Sequence, residues 1–304
     1  MKIAIILGGA SSEKSISILT GLSVAEALSK KYDTDAIHIG SDLSILPEKL
    51  LGSNIVFNAL HGGTGENGDL QSFLDVHHIP YCGSGAKASK LAMDKHLSKM
   101  VAKTESVPTP EWILIKSDSY STQLLNENAL KFDFPYIVKP ADEGSTVGLS
   151  LVNNIDEIEN AIEVAGEHST SILVEQYIPG RELTVGILGT KALPIVEIIS
   201  DHELYDYECK YSKGKSQYKV PADLPEKVTR KIQDDALKIY KAIGCRHYGR
   251  VDFRLNEKNE HYFLEINTLP GMTSTSLLPM AAQAAGLDFP DLVDTIIKIA
   301  MVDQ

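Results

Sequence analysis

The segment HYGRVDFRLNEKNEHYFLEINTLPGMT, residues 247–273, decides the fold of the C-terminal part of this chain. Two runs of alternating polar and apolar residues flank NEKN, a pattern that predicts a β-hairpin. A four-residue NEKN loop would place Arg250 opposite Glu265 and Asp252 opposite Phe263. The segment is therefore expected to form two paired antiparallel strands that end at Pro-Gly.

The second strand of this hairpin carries two polar residues in an otherwise apolar run. Because side chains alternate along a strand, Leu264 and Ile266 are expected to face a core, while Glu265 and Asn267 share the other face. There they would join the arginine and aspartate of the first strand in one polar cluster. The strand is thus expected to be buried on one side and to present ligands on the other.

The chemistry of this cluster suits a divalent cation. Two carboxylates about 5 Å apart repel by roughly 3 kcal/mol at an effective dielectric constant near 20, so a cation between them would keep both ionised. Oxygen ligands from Asp252, Glu265 and Asn267 suit Mg²⁺ or Mn²⁺, and Mg²⁺ completes its shell with water and phosphate oxygens. The alternative is a salt-bridged, solvent-exposed face. Beyond the strand, Pro270 and Gly271 turn the chain and offer a backbone N–H as a donor.

Composition limits the classes of partner. A chain of 304 residues with 43% hydrophobic content predicts two or three compact units. Its net charge of -12 and pI near 5.2 argue against a nucleic-acid or anionic-membrane surface, since either requires a basic face. A phosphate-bearing ligand must therefore be met by a few local cations.

The cysteines and the N-terminal segment indicate a reduced, cytosolic protein. Cys82, Cys209 and Cys245 are widely spaced and contain no CxxC pair, which is the pattern of neither a disulfide framework nor a zinc site. The segment MKIAIILGGA has an apolar run too short for a secretory signal or a membrane span. It is interpreted as a first buried strand.

The order of strand and helix patterns predicts three units. A strand, helix, strand pattern up to residue 94, with a helix over 14–29, predicts an open parallel-sheet α/β domain at 1–94. The prolines of VPTPEW mark a linker, and the segment 95–178 is expected to form a small α+β unit. Residues 179–304 would form the third unit, which contains the hairpin.

One segment of the middle unit resembles a phosphate-binding device. In YIVKPADEGSTVGLSLV, Lys139 ends a strand pattern and is followed by a glycine-containing loop, residues 142–148. A lysine beneath a mobile glycine loop can hold phosphate from two sides, although an ordinary hairpin with an exposed lysine is the alternative. There is no GxxxxGK[ST] motif. CGSGAKA, residues 82–88, imitates a dinucleotide fingerprint, but the segment HHIPY before it is a poor strand.

Eight motifs in collinear order carry a resemblance to a known family. They are GGASSEKSIS, ALHGGTGENG, GSGAKASKLAMDK, IVKPADEGSTVG, LVEQYIPGREL, YDYECKY, YGRVDF and FLEINTLPGMTSTSLLPMAA. With these motifs the chain resembles the D-alanine:D-alanine ligases of the ATP-grasp superfamily. The resemblance implies an α/β protein with an α+β centre, in which an ATP-grasp fold follows an N-terminal open parallel-sheet domain.

The resemblance also implies an activity. A ligase of this family would transfer the γ-phosphate of ATP to the carboxylate of one D-alanine, and the amine of a second D-alanine would attack the acyl phosphate to give D-alanyl-D-alanine for peptidoglycan precursors. The implied cofactors are ATP and two Mg²⁺ or Mn²⁺. The implied partners are small molecules only, without nucleic acid or membrane, and the implied state is a cytoplasmic homodimer.

Carried over by motif, the resemblance assigns roles to individual residues. ATP would be held by Lys95 and Lys139 at the phosphates, by Glu175, Tyr177 and Ile178 at adenine and by Glu182 at ribose, with Lys210 nearby. The metal ligands would be Asp252, Glu265 and Asn267. The amino acids would be held by Glu13, His61, Arg250, Gly271, Ser276 and Leu277, and closure would join Ser145 and Tyr211 to Glu13. The catalytic set so implied is Glu13, Ser145, Tyr211, Arg250, Gly271 and Ser276.

Several alternatives stay open on the sequence. One alternative is that Glu13 serves only as a helix cap, and another is that Tyr211 is a surface aromatic. The ligase could use D-lactate or another amino acid as acceptor, although tyrosine at 211 favours D-alanine in this family. A regulatory nucleotide-binding module and an NAD oxidoreductase are the rivals from other classes.

Overall fold

The computed structural model describes residues 1–118, 133–200 and 216–303. Two predicted site residues, Lys210 and Tyr211, lie outside the described residues, as does Cys209. Helices and strands are numbered below along the described part of the chain.

The first sheet is parallel and has the strand order β2-β1-β3. Its strands are β1 (Lys2–Gly8), β2 (Asp33–Ile39) and β3 (Ile55–Asn58), and the helices after them are α1 (Lys14–Ser29), α2 (Leu46–Lys49), α3 (Asp69–Val76), α4 (Ala86–Met93) and α5 (Lys95–Thr104). Successive side chains of β1 enter two different cores, so the strand is apolar throughout. The predicted parallel sheet and the helix over 14–29 are confirmed.

The central sheet is antiparallel and has the order β4-β7-β5-β6. Its strands are β4 (Trp112–Lys116), β5 (Tyr136–Pro140), β6 (Ser150–Val152) and β7 (Ser171–Gln176), and helix α6 (Ile158–Gly166) covers one face. Val138 and Val174 point into that core, while the alternate residues Ile137, Lys139 and Glu175 line a cleft on the opposite face. Alternation along β5 and β7 thus delivers charged side chains to the cleft.

The third sheet has the order β11-β10-β8-β12-β13, with β9 paired to β8. Its strands are β8 (Arg181–Leu188), β9 (Lys191–Ala192), β10 (Val196–Ser200), β11 (Ser216–Lys219), β12 (Tyr248–Leu255) and β13 (His261–Asn267). Helix α7 (Glu226–Ile243) packs on one face, and α8 (Leu277–Ala284) and α9 (Phe289–Val302) follow the hairpin. The proposed boundaries at residues 94 and 178 stay a prediction.

Helices α8 and α9 share a core with the first sheet. Buried side chains of β1, α1, α8 and α9 belong to one apolar cluster, which includes Val24 and Ile297. At its edge the carboxylate of Asp294 accepts hydrogen bonds from Tyr32 Oη (2.5 Å) and Lys31 Nζ (2.6 Å). Burial opposes this charge, but hydrogen bonds from Lys298, Lys31 and Tyr32 hold the pKa of Asp294 at about 2.

The predicted register of the β12–β13 hairpin is wrong. Asp252 lies opposite Glu265, not Phe263, and Arg250 lies opposite Asn267. Five residues, 256–260, form the loop, and a β-bulge then shifts the pairing between Asp252 and Phe253. A bulge adds a residue to one strand only, which a strict alternation pattern does not reveal.

The bulge also changes the position of Leu264. The side chain was expected in the core, but it lines the cleft, whereas Phe263 and Ile266 enter the core. The extra residue puts Leu264 and Glu265 on the same side of the sheet. The bulge thus gives the cleft both an apolar wall and a carboxylate from consecutive residues.

Candidate functional site

A cleft lies between the central and third sheets. The space between its walls, including the open mouth, is about 950 Å³. It brings together ten of the predicted site residues: Lys95, Lys139, Glu175, Tyr177, Ile178, Glu182, Arg250, Asp252, Glu265 and Leu277. In the sequence these residues come from four separate parts of the chain: 95, 139, 175–182 and 250–277.

A second chamber adjoins this cleft. Its lining contains the predicted residues Glu13, His61, Ser145, Arg250, Glu265, Asn267, Gly271, Ser276 and Leu277. Arg250, Glu265 and Leu277 line both cavities, so the two chambers meet at these side chains. Groups bound in the two chambers would therefore be neighbours at this junction.

The wall of the cleft holds a buried cluster of three charges. Glu175 is 2% exposed, and its two carboxylate oxygens accept hydrogen bonds from Lys139 Nζ (2.9 Å) and Lys99 Nζ (2.5 Å). Burial opposes the charged carboxylate, but the two ammonium groups hold the pKa of Glu175 below its ordinary value. Sequence reasoning did not find Lys99, whose only signal is its position one helical turn after Lys95.

Arg254, which sequence reasoning also missed, organises the segment from Tyr177 to Glu182. Its guanidinium donates to the carbonyl oxygens of Ile178 (3.0 Å) and Gly180 (2.9 Å) and lies 3.4 Å from the Glu182 carboxylate. It also stacks over the Tyr177 ring at 5.5 Å. Its sequence signal is the period of two in RVDFR, which puts this arginine on the face of Arg250.

The predicted metal ligands lie together at the junction of the two chambers. Asp252 and Glu265 are paired directly across the hairpin, and Asn267 follows Glu265 on the same side. Among the described residues, no group of three or more His, Cys, Asp and Glu is placed to hold a metal ion. Two carboxylates and a carboxamide fit a hard cation that takes its remaining ligands from phosphate and water.

Hydrogen bonds orient these acidic side chains. Arg250 donates to both oxygens of Asp252 (2.9 and 2.8 Å), and the Thr184 hydroxyl donates to Oδ1 (2.5 Å). Lys95 Nζ lies 3.3 Å from Glu265 Oε2. The carboxylates are thus held in place before any ligand enters.

Glu13 contacts the glycine-containing loop, as predicted. It occupies the N-cap position of α1, but its side chain makes no capping hydrogen bond. Instead its carboxylate accepts a hydrogen bond from Ser145 Oγ, 132 residues away. The alternative that Glu13 serves only as a cap does not fit this orientation.

The backbone of Ser145 has a positive φ of +51°. This left-handed conformation costs energy for residues other than glycine.

His61 is held by two residues that sequence reasoning missed. Its Nδ1 lies 3.2 Å from Glu66 Oε1, and its Nε2 lies 3.0 Å from Thr20 Oγ1. Since a carboxylate only accepts, Nδ1 carries the proton, and in the neutral ring Nε2 accepts from the Thr20 hydroxyl. The same hydroxyl accepts from the Met272 N–H at 3.4 Å. Thr20 therefore ties His61 to the turn after β13.

That turn leads into α8. Ser276 occupies the N-cap of α8, and Leu277 is its first residue. Ser276 Oγ accepts from the Thr273 N–H at 3.0 Å, and a side chain at Gly271 would come within 2.9 Å of this oxygen. The turn is thus packed closely against the start of a helix, where backbone N–H groups favour an anion.

Comparisons with known proteins give consistent results. The family model "D-ala D-ala ligase C-terminus" matches residues 101–298. The curated D-alanine--D-alanine ligase of Syntrophotalea carbinolica is 41% identical over 297 residues, covering 97% of this chain and 95% of that protein.

Two solved structures resemble the whole chain. The D-alanine--D-alanine ligase from Bacillus anthracis complexed with ATP matches with a TM-score of 0.87 and 35% identity, covering 100% of this chain and 97% of the other. The VanG D-Ala:D-Ser ligase from Enterococcus faecalis matches with a TM-score of 0.85 and 28% identity, covering 98% and 99%.

Proposed function

This chain belongs to the D-alanine--D-alanine ligase family, and from that premise we propose that it joins two D-alanines to D-alanyl-D-alanine with conversion of ATP to ADP and phosphate. The predicted ATP-grasp fold class is confirmed by the full-length structural match. The observation that carries the proposal is the meeting of two chambers at Arg250 and Glu265. The product would serve peptidoglycan precursor synthesis.

ATP occupies the cleft between the central and third sheets. Lys95 and Lys139 lie on its wall and offset phosphate charge. The segment from Tyr177 to Glu182, fixed by Arg254, supplies the surface for adenine and ribose. The ATP-complexed relative supports this use of the cleft.

Two Mg²⁺ or Mn²⁺ would be held by Asp252, Glu265 and Asn267. When bound, such ions neutralise phosphate charge and make the γ-phosphorus more electrophilic. The support is the all-oxygen ligand set, oriented by Arg250, Thr184 and Lys95.

The amino acids occupy the second chamber. Glu13 receives the ammonium group of the first D-alanine, next to His61, and the carboxylate of that molecule attacks the γ-phosphorus while the bond to the bridging oxygen of ADP breaks. Ser276 and the Leu277 N–H receive the carboxylate of the second D-alanine. Once its ammonium group has lost one proton, the free amine attacks the acyl carbon, phosphate leaves and the nitrogen loses a second proton.

Charge that develops on the acyl oxygen meets two donors. Arg250 and Gly271 line the chamber where that oxygen would form, and we propose the Arg250 guanidinium and the Gly271 N–H as the donors, since donors placed in advance contribute most to such steps. The Ser145 contact to Glu13 closes the glycine-containing loop over the chamber. Exclusion of water protects the acyl phosphate from hydrolysis.

A different acceptor is not favoured. The curated relative at 41% identity is a D-alanine--D-alanine ligase, whereas the D-Ala:D-Ser ligase is only 28% identical. Tyr211 lies outside the described residues. In this family a tyrosine at that position favours D-alanine over D-lactate as the second substrate.

Three further proposals concern organisation. We propose units at 1–94, 95–178 and 179–304, supported by one sheet in each. A homodimer is supported by the family resemblance, and a cytoplasmic location by the cysteine pattern. No helix among the described residues is long and apolar enough to cross a membrane.

The test is phosphate release from ATP and Mg²⁺ with D-alanine, D-lactate, D-serine or L-alanine, combined with mass analysis of the product. Release that requires D-alanine and yields its dipeptide is expected. Release without dependence on D-alanine, or a product with another acceptor when D-alanine competes, would contradict the proposal.

A further inference from the structure

Lys99 is a fully buried lysine that the mechanism above does not use. Its exposure is 0%, its Nζ lies 2.5 Å from Glu175 Oε2, and it lies 5.0 Å from the centre of the Trp112 ring. It is absent from the residues that line the ATP cleft. Lys99 therefore does not contact a ligand in the cleft directly, and its link to the cleft runs through Glu175.

Lys139, by contrast, is shared between Glu175 and the cleft. It lines the cleft wall, and its Nζ donates to the other oxygen of Glu175 at 2.9 Å. If Glu175 had only this lysine, the two charges would cancel, and moving the ammonium toward phosphate would leave a buried carboxylate unpaired. Such a carboxylate is costly in a buried site, so it would retain Lys139.

The second lysine changes this balance. With Lys99 present the cluster carries one net positive charge, and Glu175 keeps a partner when Lys139 turns away. We propose that Lys99 is a positioning residue that satisfies Glu175 and so frees Lys139 to bind ATP phosphate. This inference rests on the proposed function, because it presumes that ATP fills the cleft.

The placement of Lys99 supports this role. It lies one turn after Lys95 on α5, whose first residue donates its N–H to the Ala141 carbonyl just after β5 (2.8 Å). The same helix thus places Lys95 beside Glu265, a predicted metal ligand, and Lys99 behind the cleft wall at Glu175. Burial lowers the pKa of Lys99 to about 8, partly offset by Glu175, so the side chain is mainly charged at neutral pH.

The test measures ATP binding by calorimetry with MgATP and no amino acid. Lys99→Met is expected to weaken binding roughly tenfold, the effect of losing a charge-assisted hydrogen bond. In the double variant K99M/E175Q the side chain at position 175 is neutral, so it no longer holds the Lys139 ammonium by charge. ATP should therefore bind more tightly to this double variant than to K99M alone. A merely structural role predicts a double variant no better than K99M, and that result would overturn the proposal.

Lys103→Met is the matched control. Lys103 lies one turn further along α5, is 44% exposed and pairs with Glu111, so its loss should leave ATP binding unchanged. Melting temperatures of all variants check folding. ATP binding by the wild type with equal binding by K99M would overturn this inference alone, whereas no ATP binding by the wild type would overturn the proposed function with it.

A measurement on the unmodified protein needs no variant. The groups that face Lys99 are Glu175 on β7, Lys139 on β5, Lys103 on its own helix and the Trp112 ring on β4. As pH rises through about 8, Lys99 loses its proton, so Glu175 should capture Lys139 and ATP affinity should fall. An affinity that stays constant between pH 7 and pH 9 contradicts the proposal.

Discussion

Replacement of Thr20 by valine should impair use of D-alanine while leaving ATP binding intact. Thr20 is 1% exposed, and its hydroxyl donates to His61 Nε2 (3.0 Å) and accepts from the Met272 N–H (3.4 Å). Valine keeps the shape of threonine but loses both hydrogen bonds. A typical hydrogen bond contributes about 1 kcal/mol, so the activation free energy for kcat/KM with D-alanine should rise by up to about 2 kcal/mol, which lowers kcat/KM by up to about thirtyfold.

The assay is phosphate release over a range of D-alanine concentrations, with MgATP affinity measured separately. Thr20→Ser retains the hydroxyl and should stay within a few fold of the wild type. A Thr20→Val enzyme that folds and shows wild-type dependence on D-alanine would refute the idea that this hydroxyl positions His61 and the turn after β13. A loss of ATP affinity equal to the loss of activity would refute it as well, because Thr20 does not line the ATP cleft.

Three other substitutions test separate parts of the site. Asp252→Asn removes a charge from the metal ligands, so activity should be lost at ordinary Mg²⁺ concentration, and a Mg²⁺ titration of phosphate release equal to that of the wild type would exclude this ligand. Gly271→Ala brings a methyl group within 2.9 Å of Ser276 Oγ and should raise KM for the second D-alanine in steady-state kinetics; an unchanged KM would place the second substrate elsewhere. Tyr211→Phe should increase ester formation with D-lactate, measured by mass analysis of the product, and an unchanged product ratio would remove the specificity argument.

The sequence predicted the membership of the site better than its geometry. Strand alternation and loop chemistry are local properties, so they indicated separate roles for Lys139 and Asp252. The family resemblance assigned both to one site, and both line the same cleft. The hairpin register was wrong for two reasons. The loop has five residues instead of four, and a bulge at Leu264 depends on pairing that only the folded sheet defines.

Side chains that act through another residue were missed for a different reason. Thr20 and Lys99 lie on helices, and the apolar residues around them already account for the helical pattern. The partner of each side chain lies on a distant segment of the chain. Neither has a local motif, so their roles depend on tertiary packing. Arg254 was closer to prediction, because its alternation with Arg250 and Asp252 is visible in RVDFR.

The shared core of α1, β1 and α9 has a consequence for how the chain folds during synthesis. Lys31 and Asp294, which are in contact, are 263 residues apart in the chain. Helix α9, which covers part of the first core, is therefore synthesised long after the strands of the first sheet. At about 5 to 20 residues per second, that helix arrives roughly 10 to 50 s after the strand it covers. Part of the apolar face of the first sheet therefore stays uncovered until α9 is made, and we expect the ribosome-bound chain to be open to aggregation or chaperone binding during that interval.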